Sequence, residues 1–222
     1  VYRLWLTEES RNTWERVTPL GCAMVFEEYL IFVPSRYSMG DWHPMGLQCE
    51  DVEFATQDGV RLHGWYCPVP RPRGVFLMAH GNAGNITHRV DRIMAWQRSL
   101  NVAVFVFDYR GYGRSVGKPH ERGVYQDARA AYRWLTTDKG IAPDDMVFFG
   151  ESLGTADVLQ LAVEVTPRAL ILESPFTSAV DVGQQAFPWL PVRWIMRNRF
   201  ASMEKIGQYH GPLLIIHGTH DT

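Results

Sequence analysis

Five short apolar runs constrain the fold more than any other feature of this sequence. They are four to six residues long, at Val75 to Ala79, Val102 to Phe107, Met146 to Phe149, Ala169 to Leu172 and Leu213 to Ile216. Runs of this kind are typical of strands that are buried on both faces of a parallel sheet. Helical stretches separate them, so the sequence predicts a doubly wound, mostly parallel α/β sheet with right-handed crossovers.

Three stretches between the apolar runs have apolar residues at helical spacing. The first follows Asn85, which can cap it, and continues to Leu100; the others are Gly123 to Thr137 and Leu153 to Val165. Before the first run, alternating residues flank a Gln-Asp-Gly turn, so a β-hairpin is predicted there. Its strands are Asp51 to Thr56 and Arg61 to Cys67.

Composition and charge exclude several classes of protein. Apolar residues make up 46% of the 222 residues and charged residues 21%, which is an ordinary globular balance. The net charge is -2 and no run of Lys or Arg occurs, so no nucleic-acid partner is expected. No signal peptide or apolar stretch of about 20 residues is visible. Membrane association is therefore expected only through a segment upstream of Val1, and the sequence carries no signal for an oligomeric state.

The cysteines are Cys22, Cys49 and Cys67, an odd number with neither zinc-site nor disulfide-framework spacing. This pattern predicts reduced thiols, buried or half-buried. Reduced thiols favour a reducing compartment, so a cytoplasmic protein, or a membrane-anchored one that faces such a compartment, is expected.

Gly150-Glu151-Ser152-Leu153-Gly154 carries the most specific chemistry in the sequence. This G-x-S-x-G directly follows a strand-like run and opens an apolar helix, which is the context of a nucleophile elbow. Flanking glycines let neighbouring backbone pass the strained turn without a Cβ clash, and the helix dipole favours a developing anion. Ser152 is therefore the predicted nucleophile.

His80-Gly81-Asn82-Ala83-Gly84-Asn85 follows the first apolar run, where such a sheet places an oxyanion donor. One backbone N–H is predicted from Leu153, the residue after the nucleophile. The other is predicted from Asn82, with Ala83 as an alternative. Loss of one such donor typically costs about 3 kcal/mol of transition-state stabilisation. The competing interpretation is a glycine-rich turn that Asn85 caps.

An acid is predicted after the last apolar run, in His217-Gly218-Thr219-His220-Asp221. Asp221 fits the chain order Ser, Asp, His, and it would orient an imidazole and stabilise its charged form. Glu173, just past another run, is the competing acid. An H-x-x-H metal pair at His217 and His220 is disfavoured because the two residues lie on a turn, so no metal or other cofactor is expected.

The base is the missing member of the expected triad. None of the eight histidines follows Asp221 in the sequence. One more strand and helix, with a histidine in the loop, would complete the domain. Removal of the histidine from a serine triad can cost on the order of 10⁶ in kcat.

A second glycine-rich loop, Gly111 to Gly117, follows the second apolar run. Its third glycine is one residue late for a dinucleotide fingerprint, and no acidic residue lies at the required interval. The sequence therefore predicts a structural loop that Asp108 and Arg110 tie into the turn.

Two segments lie outside the alternating strand-helix pattern. Residues 1–48 are a lead-in to the domain at 49–222, and an insert at about 174–211 is rich in aromatic residues. The insert is either a lid over an acyl pocket or packing helices at the sheet edge. The lid hypothesis assigns the pocket lining to Phe176, Phe187, Trp189 and Trp194, with Met196 beside them. Arg193, Arg197 and Arg199 either meet an anionic head group or form a solvated face.

Together, the motifs HGNAGN, FDYRGYGRS, GESLG, ESPFTS and HGTHD resemble the HGNAGN branch of the α/β-hydrolase superfamily. The resemblance covers roughly residues 50–222. That branch includes membrane-anchored α/β-hydrolase-domain proteins and members described as serine aminopeptidase-like. The resemblance implies Ser152 as nucleophile, Asp221 as acid, and an oxyanion hole at Asn82 and Leu153. It also implies a catalytic histidine after the acid and often an N-terminal membrane anchor, and neither is found in this sequence.

The motifs favour a serine hydrolase that acts on carboxylic esters or thioesters, with a small-molecule or lipid-like acyl substrate and no cofactor. A catalytically inactive binding or regulatory protein with the same fold is the alternative, and a serine peptidase would use the same machinery. Asp157 is an oddity, because a small apolar residue would pack better so early in the helix after Ser152.

Overall fold

A computed structural model of the chain describes residues 27, 28 and 30–218. Seven strands form one sheet in the order β2-β3-β6-β4-β7-β8-β9, and β1 and β5 pair separately. The strands are β1 (Val33–Pro34), β2 (Glu50–Ala55), β3 (Arg61–Cys67), β4 (Val75–Ala79), β5 (Ala83–Gly84), β6 (Ala103–Phe107), β7 (Met146–Glu151), β8 (Ala169–Glu173) and β9 (Leu213–Ile216).

The sheet confirms the fold class and the predicted hairpin. Strands β2 and β3 pair antiparallel across the Asp58-Gly59 turn, and β3 joins β6 antiparallel. From β6 through β4, β7 and β8 to β9 all neighbours are parallel. The carboxyl ends of these five strands therefore meet at one edge of the sheet, where ligands bind in open α/β folds.

Helices cover both faces of the sheet. Asn85 caps a short 3₁₀ turn at Ile86–Arg89 that leads into the first α-helix. The α-helices are α1 (Val90–Leu100), α2 (Glu121–Thr137), α3 (Leu153–Glu164), α4 (Ala179–Ala186), α5 (Val192–Ile195) and α6 (Ser202–Ile206). None of the helices within 27–218 that the structure describes is long and apolar enough to cross a bilayer.

Every residue of β4 and β6 is buried, so these strands form the centre of the core. Alternate residues of β6 point to opposite faces: Phe105 and Phe107 pack with α2 and α3, whereas Val104 and Val106 pack with α1. Each fully buried side chain of this size contributes roughly 1.5–3 kcal/mol.

Strand β9 differs from the sequence-based expectation of a strand buried on both faces. Its four residues are 41–51% exposed. Among the described residues, β9 lies at the edge of the sheet and pairs with β8, so fewer neighbours cover it than cover the central strands.

The prediction of unpaired cysteines is wrong for two of the three. Cys49 and Cys67 form a disulfide with a Cα–Cα distance of 4.1 Å. The register of β2 and β3 pairs Glu50 with Tyr66, and so places the two adjoining cysteines opposite each other. The expectation of a reducing compartment rested on reduced thiols, and this disulfide removes that argument. Cys22 lies outside the described residues.

Arg110 confirms the prediction of a structural loop between β6 and α2. Its guanidinium group bonds Asp58 in the hairpin turn at 2.8 Å and Asp127 in α2 at 2.9 Å. The bond to Arg110 lowers the pKa of Asp58 to about 2. Asp108 accepts a hydrogen bond from the Ile86 N–H, so the same loop also holds the segment after β4.

Asp157 is fully buried in α3, and neither carboxyl oxygen has a hydrogen-bond partner in the described part of the chain. Burial raises its pKa well above the usual value because the ionised form loses its hydration, and the nearby Asp127 adds to the rise. The unfolded chain therefore releases this proton at a lower pH than the folded chain. Stability from Asp157 is present at acid pH and falls as the pH rises above 3.8.

We expect Asp157→Asn to be more stable than the wild type at pH 7, by about 1–3 kcal/mol, because an amide cannot ionise. The difference should shrink toward pH 4. Urea unfolding of both proteins across this pH range measures it. An identical pH dependence of the two unfolding free energies would contradict the assignment.

Candidate active site

The turn between β7 and α3 places Ser152 in a strained backbone conformation. Its φ is 49°, a left-handed value that non-glycine residues rarely adopt, and its N–H donates to the Glu173 carbonyl at 2.9 Å. Neighbouring backbone leaves no space for a side chain at Gly150 or at Gly154. A Cβ at Gly150 would lie 2.4 Å from the Gly154 oxygen, and one at Gly154 would lie 2.1 Å from the Ala79 oxygen.

The segment after β4 brings Asn82 to the same place. The Asn82 side chain donates to the Ile31 backbone carbonyl at 3.1 Å. The backbone carbonyl of Asn82 accepts from the Tyr112 hydroxyl at 2.7 Å. Asn82, Ser152 and Leu153 line one cavity. Leu153 is the first residue of α3, so its N–H has no partner within the helix.

Two ion pairs fix the strand ends beneath this site. Arg89 lies 3.0 Å from Glu151, and Arg92 makes a two-pronged contact with Glu173. Glu151 and Glu173 are themselves register partners in β7 and β8. The carboxylate of Glu173, the competing acid of the sequence analysis, is thus engaged by Arg92.

The predicted acid, Asp221, lies outside the described residues, as does His220. His217, directly after β9, lines the cavity that holds Ser152. Among the described residues no cluster of three or more histidine, cysteine or carboxylate side chains could hold a metal ion.

The cavity has a volume of about 810 Å³ and is lined mostly by apolar side chains of the insert. Helix α4 forms a wall, with residues at positions 179, 181, 182, 183, 185 and 186. Met196 and the predicted residues Phe176 and Phe187 line the cavity. The prediction that Trp189 and Trp194 line the pocket is wrong, because these side chains are 77% and 88% exposed and are not part of the cavity lining.

Two carboxylates hold the insert against the rest of the chain. Glu27 accepts hydrogen bonds from the backbone N–H groups of Arg197 and Asn198, at 3.0 and 2.6 Å, and from the Asn198 side chain. Glu121 accepts from the backbone N–H groups of Arg199 and Phe200. The insert, called the lid below, is therefore anchored to the rest of the chain beside the cavity that holds Ser152.

Sequence reasoning missed the contribution of the lead-in segment. Glu27, Leu30 and Ile31 line the cavity together with residues of the lid. The only signal was the pair Glu27 and Glu28 within an otherwise apolar stretch. Periodicity could not show that one carboxylate is buried against a segment 170 residues further along the chain.

Comparison with known proteins identifies the family. Residues 70–206 match the family model "Serine aminopeptidase, S33". The chain belongs to this α/β-hydrolase family. The matched range includes β4, Ser152 and the insert up to residue 206, and it stops before β9.

Related proteins and structures agree with this assignment. The chain is 43% identical over 173 residues to an uncharacterized Mycobacterium tuberculosis protein, Rv2307c, with 77% of this chain and 61% of that protein covered. It is 31% identical to the "Alpha/beta hydrolase domain-containing protein WAV2" of Arabidopsis thaliana, with 92% and 74% covered. The chain thus spans less than two thirds of the length of the mycobacterial relative.

Solved structures share the fold at low sequence identity. An α/β hydrolase from Vibrio vulnificus superposes with a TM-score of 0.66 at 21% identity, over 98% of this chain and 79% of that one. An esterase from Pyrococcus furiosus superposes with a TM-score of 0.63 at 20% identity, over 83% and 76%. At this identity the likeness establishes the α/β-hydrolase fold.

Gly154→Ala tests the close approach that shapes the elbow. A methyl group 2.1 Å from the Ala79 oxygen must displace backbone, so we expect a loss of about 3 kcal/mol or more in stability. Gly207→Ala is the control, because its φ is -66° and nothing lies near the added methyl. Denaturant unfolding should separate them, and equal stabilities would refute the packing argument.

Glu27→Ala tests the lid anchor. Removal of the acceptor leaves two backbone N–H groups unpaired, each at a cost of about 1–3 kcal/mol. We expect amide hydrogen exchange at residues 197–198 to accelerate at least about tenfold. Glu28→Ala, at the exposed neighbouring position, should leave the exchange unchanged. Identical exchange in both variants would exclude the anchor.

Proposed function

We propose that the protein is a serine hydrolase that cleaves carboxylic esters or thioesters with a lipid-like acyl chain. The single observation that carries the proposal is the position of Ser152. It sits on the strained turn that begins α3, and it borders a cavity of about 810 Å³ whose lining is mostly apolar. A cavity of this size and chemistry suits an extended acyl chain.

The proposed reaction begins when the Ser152 hydroxyl oxygen attacks the carbonyl carbon of the substrate and a histidine base takes the hydroxyl proton. The tetrahedral oxyanion would accept hydrogen bonds from the N–H groups of Leu153 and Asn82. Collapse of this intermediate breaks the ester or thioester bond, and the alcohol or thiol leaves with that proton. Water then attacks the acyl-serine, the carboxylic acid is released and the hydroxyl is restored.

Several contacts of the site support this assignment of roles. The Asn82 side chain is bonded to the Ile31 carbonyl, so its backbone position is fixed before a substrate binds. The pairs Arg89–Glu151 and Arg92–Glu173 hold the ends of β7 and β8 next to the serine. Such preorganisation lowers the cost of stabilising charge in the transition state.

The apolar lining favours an acyl substrate over a peptide. No Lys or Arg lines the cavity among the described residues. Of its two carboxylates, Glu27 accepts hydrogen bonds from lid N–H groups and Asp181 accepts one from the Thr177 hydroxyl. A peptide would bring polar groups that need hydrogen-bond partners, and their burial without partners is costly.

Fluorophosphonate labelling of the full-length protein tests the nucleophile. We expect the wild type to be labelled and Ser152→Ala to be unlabelled. Ser174→Ala is a matched control, because Ser174 lines the same cavity and also has a φ of 49°. It should retain labelling. Equal labelling of the wild type and Ser152→Ala would overturn the assignment.

The acyl preference is measured with p-nitrophenyl esters of acetate, octanoate and dodecanoate. Burial of a longer chain adds about 0.8 kcal/mol per methylene, so kcat/KM should be at least about tenfold higher for octanoate than for acetate. Labelling without turnover of any ester, together with hydrolysis of aminoacyl amides, would favour the peptidase alternative.

A further inference from the structure

Residues 187–200 form the outer part of the lid, called the tryptophan loop below. Trp189 and Trp194 are 77% and 88% exposed, and the ring of Phe187 contacts that of Trp189 at a centroid distance of 6.4 Å. Large aromatic side chains left in water are costly, and clusters of them on a surface with a polar rim mark interaction sites.

The same loop concentrates positive charge in a chain whose net charge is -2. Arg193, Arg197 and Arg199 are exposed, and residues 187–200 contain no Asp or Glu. Asp181 of α4 lies 3.8 Å from Arg193. The carboxylates of Glu27 and Glu121 are directed to backbone N–H groups of the loop. The loop therefore presents three exposed guanidinium groups in the same segment as its indole rings, and among the described residues only Arg193 of the three has an ion-pair partner.

The inner side of the loop is packed, so the exposure of its tryptophans does not come from a loose segment. Val192 and Phe200 are buried, and the Phe200 ring packs edge-on against Phe32 and Tyr125. The hydrogen bonds to Glu27 and Glu121 fix the backbone between them. A fixed inner side and an aromatic, basic outer side are suited to a partner that offers both apolar contact and negative charge.

The tryptophan and arginine side chains on the outer side of the loop indicate which kind of partner it fits. Tryptophan prefers the headgroup level of a bilayer, where one end of the ring is apolar and the other meets water. Arginine near an anionic leaflet gains electrostatic attraction, and its stem can lie along apolar surface while the charge reaches the phosphates. The charge of the loop is thus complementary to that of an anionic membrane surface.

We propose that the tryptophan loop docks on the surface of an anionic lipid bilayer. Trp189 and Trp194 enter the headgroup region, and the three arginines contact lipid phosphates. Leu190 and Ile195, the chain neighbours of these tryptophans, line the cavity that holds Ser152. Docking therefore brings the lipid surface to the entrance of the site. The docking does not depend on turnover and is separate from any anchor elsewhere in the protein.

The test is co-sedimentation of the full-length protein, carrying Ser152→Ala to prevent turnover, with two kinds of vesicle. One is pure phosphatidylcholine and the other contains phosphatidylglycerol. Each arginine near an anionic surface contributes about fivefold in partitioning, so the anionic vesicles should bind about a hundredfold more strongly. Raised salt should reduce this preference.

Two lid variants and one control separate the loop from other contacts. Replacement of Arg193, Arg197 and Arg199 by Gln should remove the preference for anionic vesicles. The control replaces Arg98, Arg122 and Arg133, which are exposed elsewhere, by Gln with the same change in charge, and it should keep the preference. Trp189→Ala with Trp194→Ala should weaken binding to both vesicles at least about tenfold.

Several results would overturn the proposal. One is equal binding by the lid variants, the control and the parent protein, because another segment would then carry the contact. Another is a concentration-dependent dimer that the tryptophan variants abolish, without vesicle binding, because the loop would then meet a second copy. Brominated lipids should quench the fluorescence of the parent more than that of a Trp189→Phe, Trp194→Phe variant. Equal quenching overturns the proposal even if the other variants fold poorly.

Discussion

The contact between the start of α3 and the end of β4 is the constraint on which the site depends. The backbone at Gly154 lies so close to the Ala79 carbonyl that a single methyl group would collide with it. This approach lets α3 begin immediately after β7 and forces Ser152 into a left-handed conformation. It also brings the first turn of α3 beside the segment that carries Asn82. The strain at Ser152 persists because buried strands on both sides hold the turn in place.

Around the contact between α3 and β4, charged side chains hold segments of the backbone in position. Arg89 and Arg92 engage Glu151 and Glu173 at the ends of neighbouring strands, and Glu27 and Glu121 bind the backbone N–H groups of the lid. Such carboxylates are costly to bury alone, but their hydrogen bonds replace the lost water. Asp157 lacks this compensation among the described residues, so burial raises its pKa, whereas the hydrogen bond from Arg110 lowers the pKa of the more exposed Asp58.

The lid lies between the proposed catalytic site and the proposed membrane-binding surface. Its inner face, from α4 and Phe176, lines the cavity, and its outer face carries Trp189, Trp194 and three arginines. The sequence analysis left open whether the aromatic insert is a lid or packing helices. The structure divides the aromatic residues between the two faces, and the two tryptophans expected in the pocket lie outside it.

The sequence by itself determined the order of strands and helices, the hairpin and the elbow, because each depends on local periodicity or on residues adjacent in the chain. Only the tertiary structure decided which sides of the lid face inward, and that Glu27 binds Arg197 and Asn198. It also decided that Cys49 meets Cys67, through the register of β2 and β3. These contacts join residues far apart in sequence, and their partners are set by how the packed elements meet in space, which a pattern along the chain does not encode.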